Sequence, residues 1–176
     1  MRATSGRVPF YTMDDDPFKL IIPIEVRFSD LDALGHVNNV TYFTYFEIAR
    51  VKYLHTVSGK PVSIEDIKLV LVEAVCRYRS PALLSDILNV GVRVSHMRRS
   101  SFVYEYRIQR SGDDRLIAEG RTIQTVFDHQ AKRVAPIGDA FRRQVERFEQ
   151  RTFDVHEPIP AWERREARDH QVEGVR

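Results

Sequence analysis

The chain has 176 residues, of which 43% are apolar and 30% charged, with a net charge of +2 and a single cysteine. That is enough chain for one globular domain with a proper core, and the composition is that of a soluble protein. It excludes an internal disulfide framework, and no apolar run approaches the roughly 20 residues of a membrane span. The charge is too small to argue for nucleic acid by itself, and a reducing cytoplasm is the expected home.

Met1 to Thr12 lacks the apolar centre of a signal peptide and reads as a tail. Met13 offers an alternative start, with Asp14-Asp15-Asp16 opening the ordered part. The expected division is a tail over 1–18, a folded domain over 19–150 and a charged tail over 151–176. Leu20 to Phe28 alternates, with Leu20, Ile22, Ile24, Val26 and Phe28 on one face. This predicts a half-buried strand, and Pro23 places it at an edge. Asn38 to Val57 predicts a helix, with Asn38 as its N-cap and Gly59 and Pro61 ending it. Its apolar residues cover most of the circumference, as in a buried helix. Val40, Phe43, Val51, Leu54 and Val57 form the expected stripe, interrupted by Glu47, which is expected to pair with Arg50.

Four strands are expected next, over Leu69–Arg79, Ile87–Met97, Ser101–Arg110 and Arg115–Phe127. Short connections marked by turn residues (Ser80-Pro81 and Ser85-Asp86, Arg98-Arg99-Ser100, Ser111 to Asp114) predict an antiparallel meander. Ile137 to Gln150 predicts a closing helix, and the chain from Arg151 onward is expected to be peripheral or disordered. The fold class is therefore α+β: a five-stranded antiparallel sheet curled around one long helix, plus a short C-terminal helix. Such a sheet leaves an edge open, which argues for self-association.

The chemistry concentrates between Ser29 and Asn39, where two carboxylates, a glycine, an imidazole and two amides occupy eleven positions. A polar loop entering a helix offers a carboxylate that activates water and unpaired N–H groups that hold an oxyanion. That pairing suits acyl transfer. Asp32 is the candidate general base or nucleophile, against a plain reading as a turn residue. Asp30 reads as structural, holding the loop. His36 either orients Asp32 or is a hydrogen-bonded loop residue. Arg98, Arg99, Ser100 and Ser101 make a basic, hydroxyl-bearing turn suited to phosphate, or simply a solvated hairpin. Cys76 reads as a small core residue. The other histidines (His55, His96, His129, His156, His170) lack metal-ligand spacing, and no Gly-x-Ser-x-Gly elbow is present.

The stretch from Phe28 to Tyr42, FSDLDALGHVNNVTY, closely resembles the signature of hotdog-fold acyl-CoA thioesterases, in the 4-hydroxybenzoyl-CoA thioesterase and acyl-CoA thioester hydrolase branch. Tyr78-Arg79-Ser80-Pro81 and Arg98 to Phe102 are similar to that family's later strands. The resemblance covers roughly 21–128. It implies hydrolysis of a coenzyme A thioester at a subunit interface, in a homodimer or homotetramer, with neither metal nor cofactor. Carried over by position, Asp32 is the catalytic carboxylate, and amides around Asn39 and Val40 polarise the carbonyl. His36 and Asn38 fall on common family positions, and Tyr42 closes the motif as a substrate-side residue. Ala33 departs mildly from the family pattern. The rival readings are a hotdog hydratase or dehydratase, a non-catalytic acyl-CoA-binding module and, from the central arginines, a nucleic-acid binder.

Overall fold

The computed structural model describes residues 18–61 and 68–159. The expected outer parts of both tails, and the Met13 start, lie outside these residues. The elements run β1 (Leu20–Glu25), α1 (Thr41–Ser58), β2 (Leu69–Tyr78), β3 (Ile87–Met97), β4 (Ser101–Arg110), β5 (Leu116–Asp128), a two-residue β6 (Arg133–Val134) and α2 (Asp139–Glu149). A short 3-10 turn over Phe28–Asp30 leads out of β1. The main sheet is antiparallel, in the order β1-β3-β4-β5-β2. Pro23 sits in β1 at one edge, where its missing N–H costs no ladder bond.

The meander is narrower than expected. Only β3, β4 and β5 follow it, while β2 crosses to the far edge and pairs with β5. The 79–86 connection is not a tight turn. Its residues bond successively to Ile117, Val37 and Val26 as it runs from one edge of the sheet to the other.

One face of the sheet carries α1. The register aligns Val92, Tyr106, Gly120 and Cys76 across four strands. Phe46 stacks on Tyr106 with centroids 4.2 Å apart, directly over Gly120. The buried stripe of α1 is Tyr42, Tyr45, Phe46, Ala49, Tyr53 and Val57, not the one expected around Val40 and Val51. Aromatic rings fill the concave sheet, and each such buried side chain contributes about 1.5–3 kcal/mol. Val40, Ile48 and Val51 are left exposed on the other side of the helix, so α1 is not buried all round. Glu47 lies on that outer side, 3.7 Å from Arg50 as expected.

α2 packs across α1 and the end of β3 through one buried carboxylate. Glu149 Oε1 accepts from the Tyr53 hydroxyl and from the Val94 N–H at 2.9 Å. Phe153, just beyond α2, is also buried, so the segment after Arg151 is not all peripheral. Burial pushes the Glu149 carboxyl above its ordinary 4.5, and its hydrogen bonds to Tyr53 and Val94 offset this only in part. The folded protein therefore binds this proton more tightly than the unfolded chain does. The stability it contributes is full below about pH 4.5 and is lost as pH rises through the raised folded value. Wild type should thus gain stability relative to Glu149→Gln between pH 7 and pH 4.5, measured by urea midpoints. A constant gap, or one moving the other way, would exclude this linkage. Among the described residues, no helix is long and apolar enough to cross a membrane.

Candidate active site

The loop between β1 and α1 is built around Asp30, which is 3% exposed. Its Oδ2 accepts from the Arg27 N–H at 2.9 Å and the Tyr45 hydroxyl at 3.0 Å, and its Oδ1 from Arg27 Nη2 at 2.8 Å. Burial alone would raise this carboxyl, but the Arg27 and Tyr45 donors outweigh it and hold it below the ordinary value. The Asp30 carbonyl also accepts from the Asn38 N–H at 2.8 Å and the Thr41 hydroxyl at 3.3 Å. Asp30 thus ties both ends of the loop to the start of α1, which is the structural role expected of it.

Asp32 is held differently. Its Oδ1 accepts from the Leu34 N–H at 2.8 Å and weakly from the His36 N–H at 3.4 Å. Its own N–H donates to the His36 carbonyl at 2.8 Å, and its carbonyl accepts from Gly35 at 3.0 Å. Gly35 closes this turn at φ +76°, a left-handed conformation that glycine adopts without steric cost. Among the described residues, no donor lies against Asp32 Oδ2. The loop therefore uses one carboxylate oxygen and leaves the other available. His36 takes part through its backbone, and its ring is exposed.

The helix begins two residues later than expected, at Thr41. Val40, not Asn38, is the N-cap residue, and no side chain caps that end. Asn38 instead folds back within the preceding turn. Its Oδ1 accepts from the Val40 N–H at 3.0 Å, and its carbonyl from the Thr41 N–H at 2.9 Å. The Val40 and Thr41 N–H groups are engaged, whereas the Asn39 N–H has no acceptor among the described residues. Asn39 lies just ahead of the helix, at the end where the dipole places partial positive charge.

A cleft of about 360 Å³ opens at this end, lined by Asp32, His36, Val37, Asn39, Tyr42, Tyr78, Arg79, Ser80 and Pro81. It joins two stretches far apart in sequence, the Asp32 loop and the exit from β2. Of the candidate residues, Asp32, His36, Asn39 and Tyr42 meet in it, while Asn38 and Val40 do not line it. Tyr42 is a buried wall, its phenol pushed up to about 12 chiefly by burial. Arg79 is paired with Glu119 at 3.0 Å. Arg98 to Ser101 lie elsewhere in the same protomer. Their turn is bonded to Val126, Ile137 and Arg142, at the Leu69 end of β2 rather than the Tyr78 end. A second, apolar cavity of about 360 Å³ lies at that end, with Leu54, Leu69, Val126, Ile137 and Phe141 in its wall. Tyr78 had no role in the sequence reading beyond its motif, because its contact with the loop spans 39 residues.

The sequence profile of the thioesterase-like superfamily matches residues 26–145, which takes in the loop, the helix and the whole cleft. The chain belongs to the thioesterase-like superfamily. A thioesterase from Thermus thermophilus, solved with coenzyme A and Zn, superposes with a TM-score of 0.68 at 32% identity, over 76% of this chain and 96% of that one. The Escherichia coli acyl-CoA thioester hydrolase YbgC is 29% identical over 108 residues, 60% of this chain and 80% of the relative. The E. coli long-chain acyl-CoA thioesterase FadM is 26% identical over 126 residues, 71% and 96% respectively. This superfamily member has the hotdog architecture of those neighbours: an antiparallel sheet around one long helix. Among its described residues, no group of three or more His, Cys, Asp or Glu side chains is placed to hold a metal ion.

Proposed function

We propose that the protein hydrolyses an acyl-CoA thioester to the free acid and coenzyme A, with Asp32 as its catalytic carboxylate. The observation that carries this reading is the juxtaposition in one cleft of an uncommitted carboxylate oxygen and an unpaired amide at a helix start. Asp32 Oδ2 takes a proton from water, whose oxygen attacks the thioester carbonyl carbon. Charge develops on the carbonyl oxygen and is met by the Asn39 N–H and the field of α1. The C–S bond then breaks, and the thiolate leaves and takes up the proton. Direct attack by Asp32, forming a mixed anhydride that water cleaves, would use the same oxygen.

The site is completed by a second copy. The β2 edge is unpaired among the described residues and exposes Val70, Leu71 and Val72, and Val40, Ile48 and Val51 leave an apolar flank on α1. Two-fold pairing of β2 with its copy runs the strands antiparallel. The Leu69 end of the partner then lies beside the Tyr78 end of this chain. That brings the partner's Arg98–Ser101 turn toward the cleft for the coenzyme A phosphates, with the partner's apolar cavity beneath it for the acyl group. Residues 19–150 form the catalytic domain, and with its one cysteine free the protein suits the cytoplasm.

The test is free-thiol release from acyl-CoA esters of increasing chain length, run beside enoyl absorbance. Thiol release is expected. Enoyl loss without thiol would indicate a hydratase, and tight binding without turnover a binding module. Replacing both Arg98 and Arg99 by Ala should raise KM about tenfold or more for coenzyme A esters, as loss of charge-assisted phosphate contacts does. KM for a short thioester lacking the nucleotide should hardly change. Equal effects on both substrates would reject the phosphate role.

A further inference from the structure

We propose that Tyr78 is a positioning residue that sets the direction of the Asn39 N–H at the mouth of the cleft, a role that rests on reading this cleft as the hydrolytic site. The Tyr78 hydroxyl donates to the Asn39 carbonyl at 2.9 Å. That carbonyl and the Val40 N–H belong to one peptide group, and the N–H end donates to Asn38 Oδ1 at 3.0 Å. Two side chains, one from the loop and one from β2, therefore grip opposite ends of the same peptide plane. The preceding peptide is fixed at its carbonyl by the Thr41 N–H at 2.9 Å. With three of the four polar ends held, the Asn39 N–H has one direction left.

The grip needs the sheet, because the loop cannot supply it alone. Asn39 and Val40 are exposed and lie ahead of the first helical turn, so no helical ladder fixes their peptide. Tyr78 is the last residue of β2, and its ring meets the buried ring of Tyr42 edge-on, with centroids 5.1 Å apart. Tyr42 belongs to the first turn of α1. The ring contact fixes where the hydroxyl stands, and the hydroxyl fixes the peptide. An oxyanion donor is effective only when its direction is set before the charge appears, since turning it during the reaction consumes the energy it would supply. The Asn39 carbonyl is at the surface. Without Tyr78 it would turn to water at little cost to the fold, taking its neighbouring amide out of line.

Tyr78→Phe tests this, since it keeps the ring against Tyr42 and removes the hydroxyl. Full removal of an oxyanion donor costs about 10²–10³ in kcat, so loss of one restraint on such a donor is expected to cost about tenfold. KM, the affinity for a non-hydrolysable thioether analogue of the substrate, and the melting temperature should stay near wild type. Asn38→Ala, which releases the other end of the same peptide, should show the same split. A kcat within twofold of wild type in Tyr78→Phe overturns the proposal, as does a fall that tracks thioether affinity or melting temperature. Asp32→Asn is run alongside. If it is inactive while Tyr78→Phe is normal, only the positioning role fails. If Asp32→Asn retains wild-type turnover, the hydrolytic reading of the cleft fails and the positioning role with it.

Discussion

Replacing Asp32 by Asn should leave the protein folded and lower thioester hydrolysis by about 10²–10⁴-fold, the usual scale for a positioned acid–base group. The reasoning is atomic. Asp32 Oδ1 accepts from Leu34 and His36 and so holds the turn. An amide oxygen can accept the same bonds, so the loop should keep its shape. The other oxygen becomes an NH2 group, which neither takes a proton from water nor attacks a carbonyl. Asp30→Asn is the informative control. Asp30 is buried against Arg27 and Tyr45, and losing its charge should lower the melting temperature along with activity. Glu47→Gln should do little, because Glu47 is on the outer side of α1 beside Arg50. An active Asp32→Asn with a folded but inactive Asp30→Asn or Glu47→Gln would move the catalytic carboxylate.

Adding one methyl group at Gly120 should strongly destabilise the protein while leaving it folded. A Cβ there would stand 2.4 Å from two Phe46 ring atoms and 2.7 Å from the Val75 carbonyl oxygen. The ring has nowhere to go, since it is fully buried and stacked on Tyr106. The carbonyl belongs to β2 in its ladder with β5, so it cannot yield without moving the strand. Overpacking of this kind costs about 3 kcal/mol or more, a large part of the 5–15 kcal/mol that holds a typical domain together. A fall of about 6–12 °C in melting temperature is expected for a chain of this size. Phe46→Leu combined with Gly120→Ala should recover part of the loss, by vacating the space the methyl group enters. A Gly120→Ala protein with an unchanged melting temperature would mean that α1 does not lie against the sheet at this point.

Local pattern made most of the fold legible. Val, Ile and Tyr content gave the later strands to within a residue, whereas the first strand, expected to reach Phe28, ends at Glu25, and Phe28 is 82% exposed in the 3-10 turn. What local pattern could not give was which strands pair. Nothing in Leu69–Tyr78 says that it pairs with β5 rather than β3, because the connection that carries the crossover is short and bracketed by the turn residues Ser80-Pro81 and Ser85-Asp86. The face of α1 was ambiguous for a related reason. A helix apolar on nearly every side has no single stripe, and the choice of Tyr42, Phe46 and Tyr53 is made by complementary space in the sheet, such as the gap at Gly120. At the site, Asp32 and the helix entry were readable because the loop is continuous in sequence. The helix start was misplaced because Asn38 has the chemistry of a cap but spends it inside the turn, on the Val40 amide. Tyr78 could not be weighted at all, since its hydroxyl matters only once β2 is laid beside the loop.

The most direct measurement is a crystal structure of the Asp32→Asn variant with an intact acyl-CoA ester bound. The thioester oxygen should lie within hydrogen-bond reach, about 3 Å, of the Asn39 N–H. The carbonyl carbon should face the residue 32 side chain, or a water held on it, at about 3–3.5 Å. A thioester seated in another part of the molecule, with the Asn39 amide turned away from it in both protomers, would contradict the account.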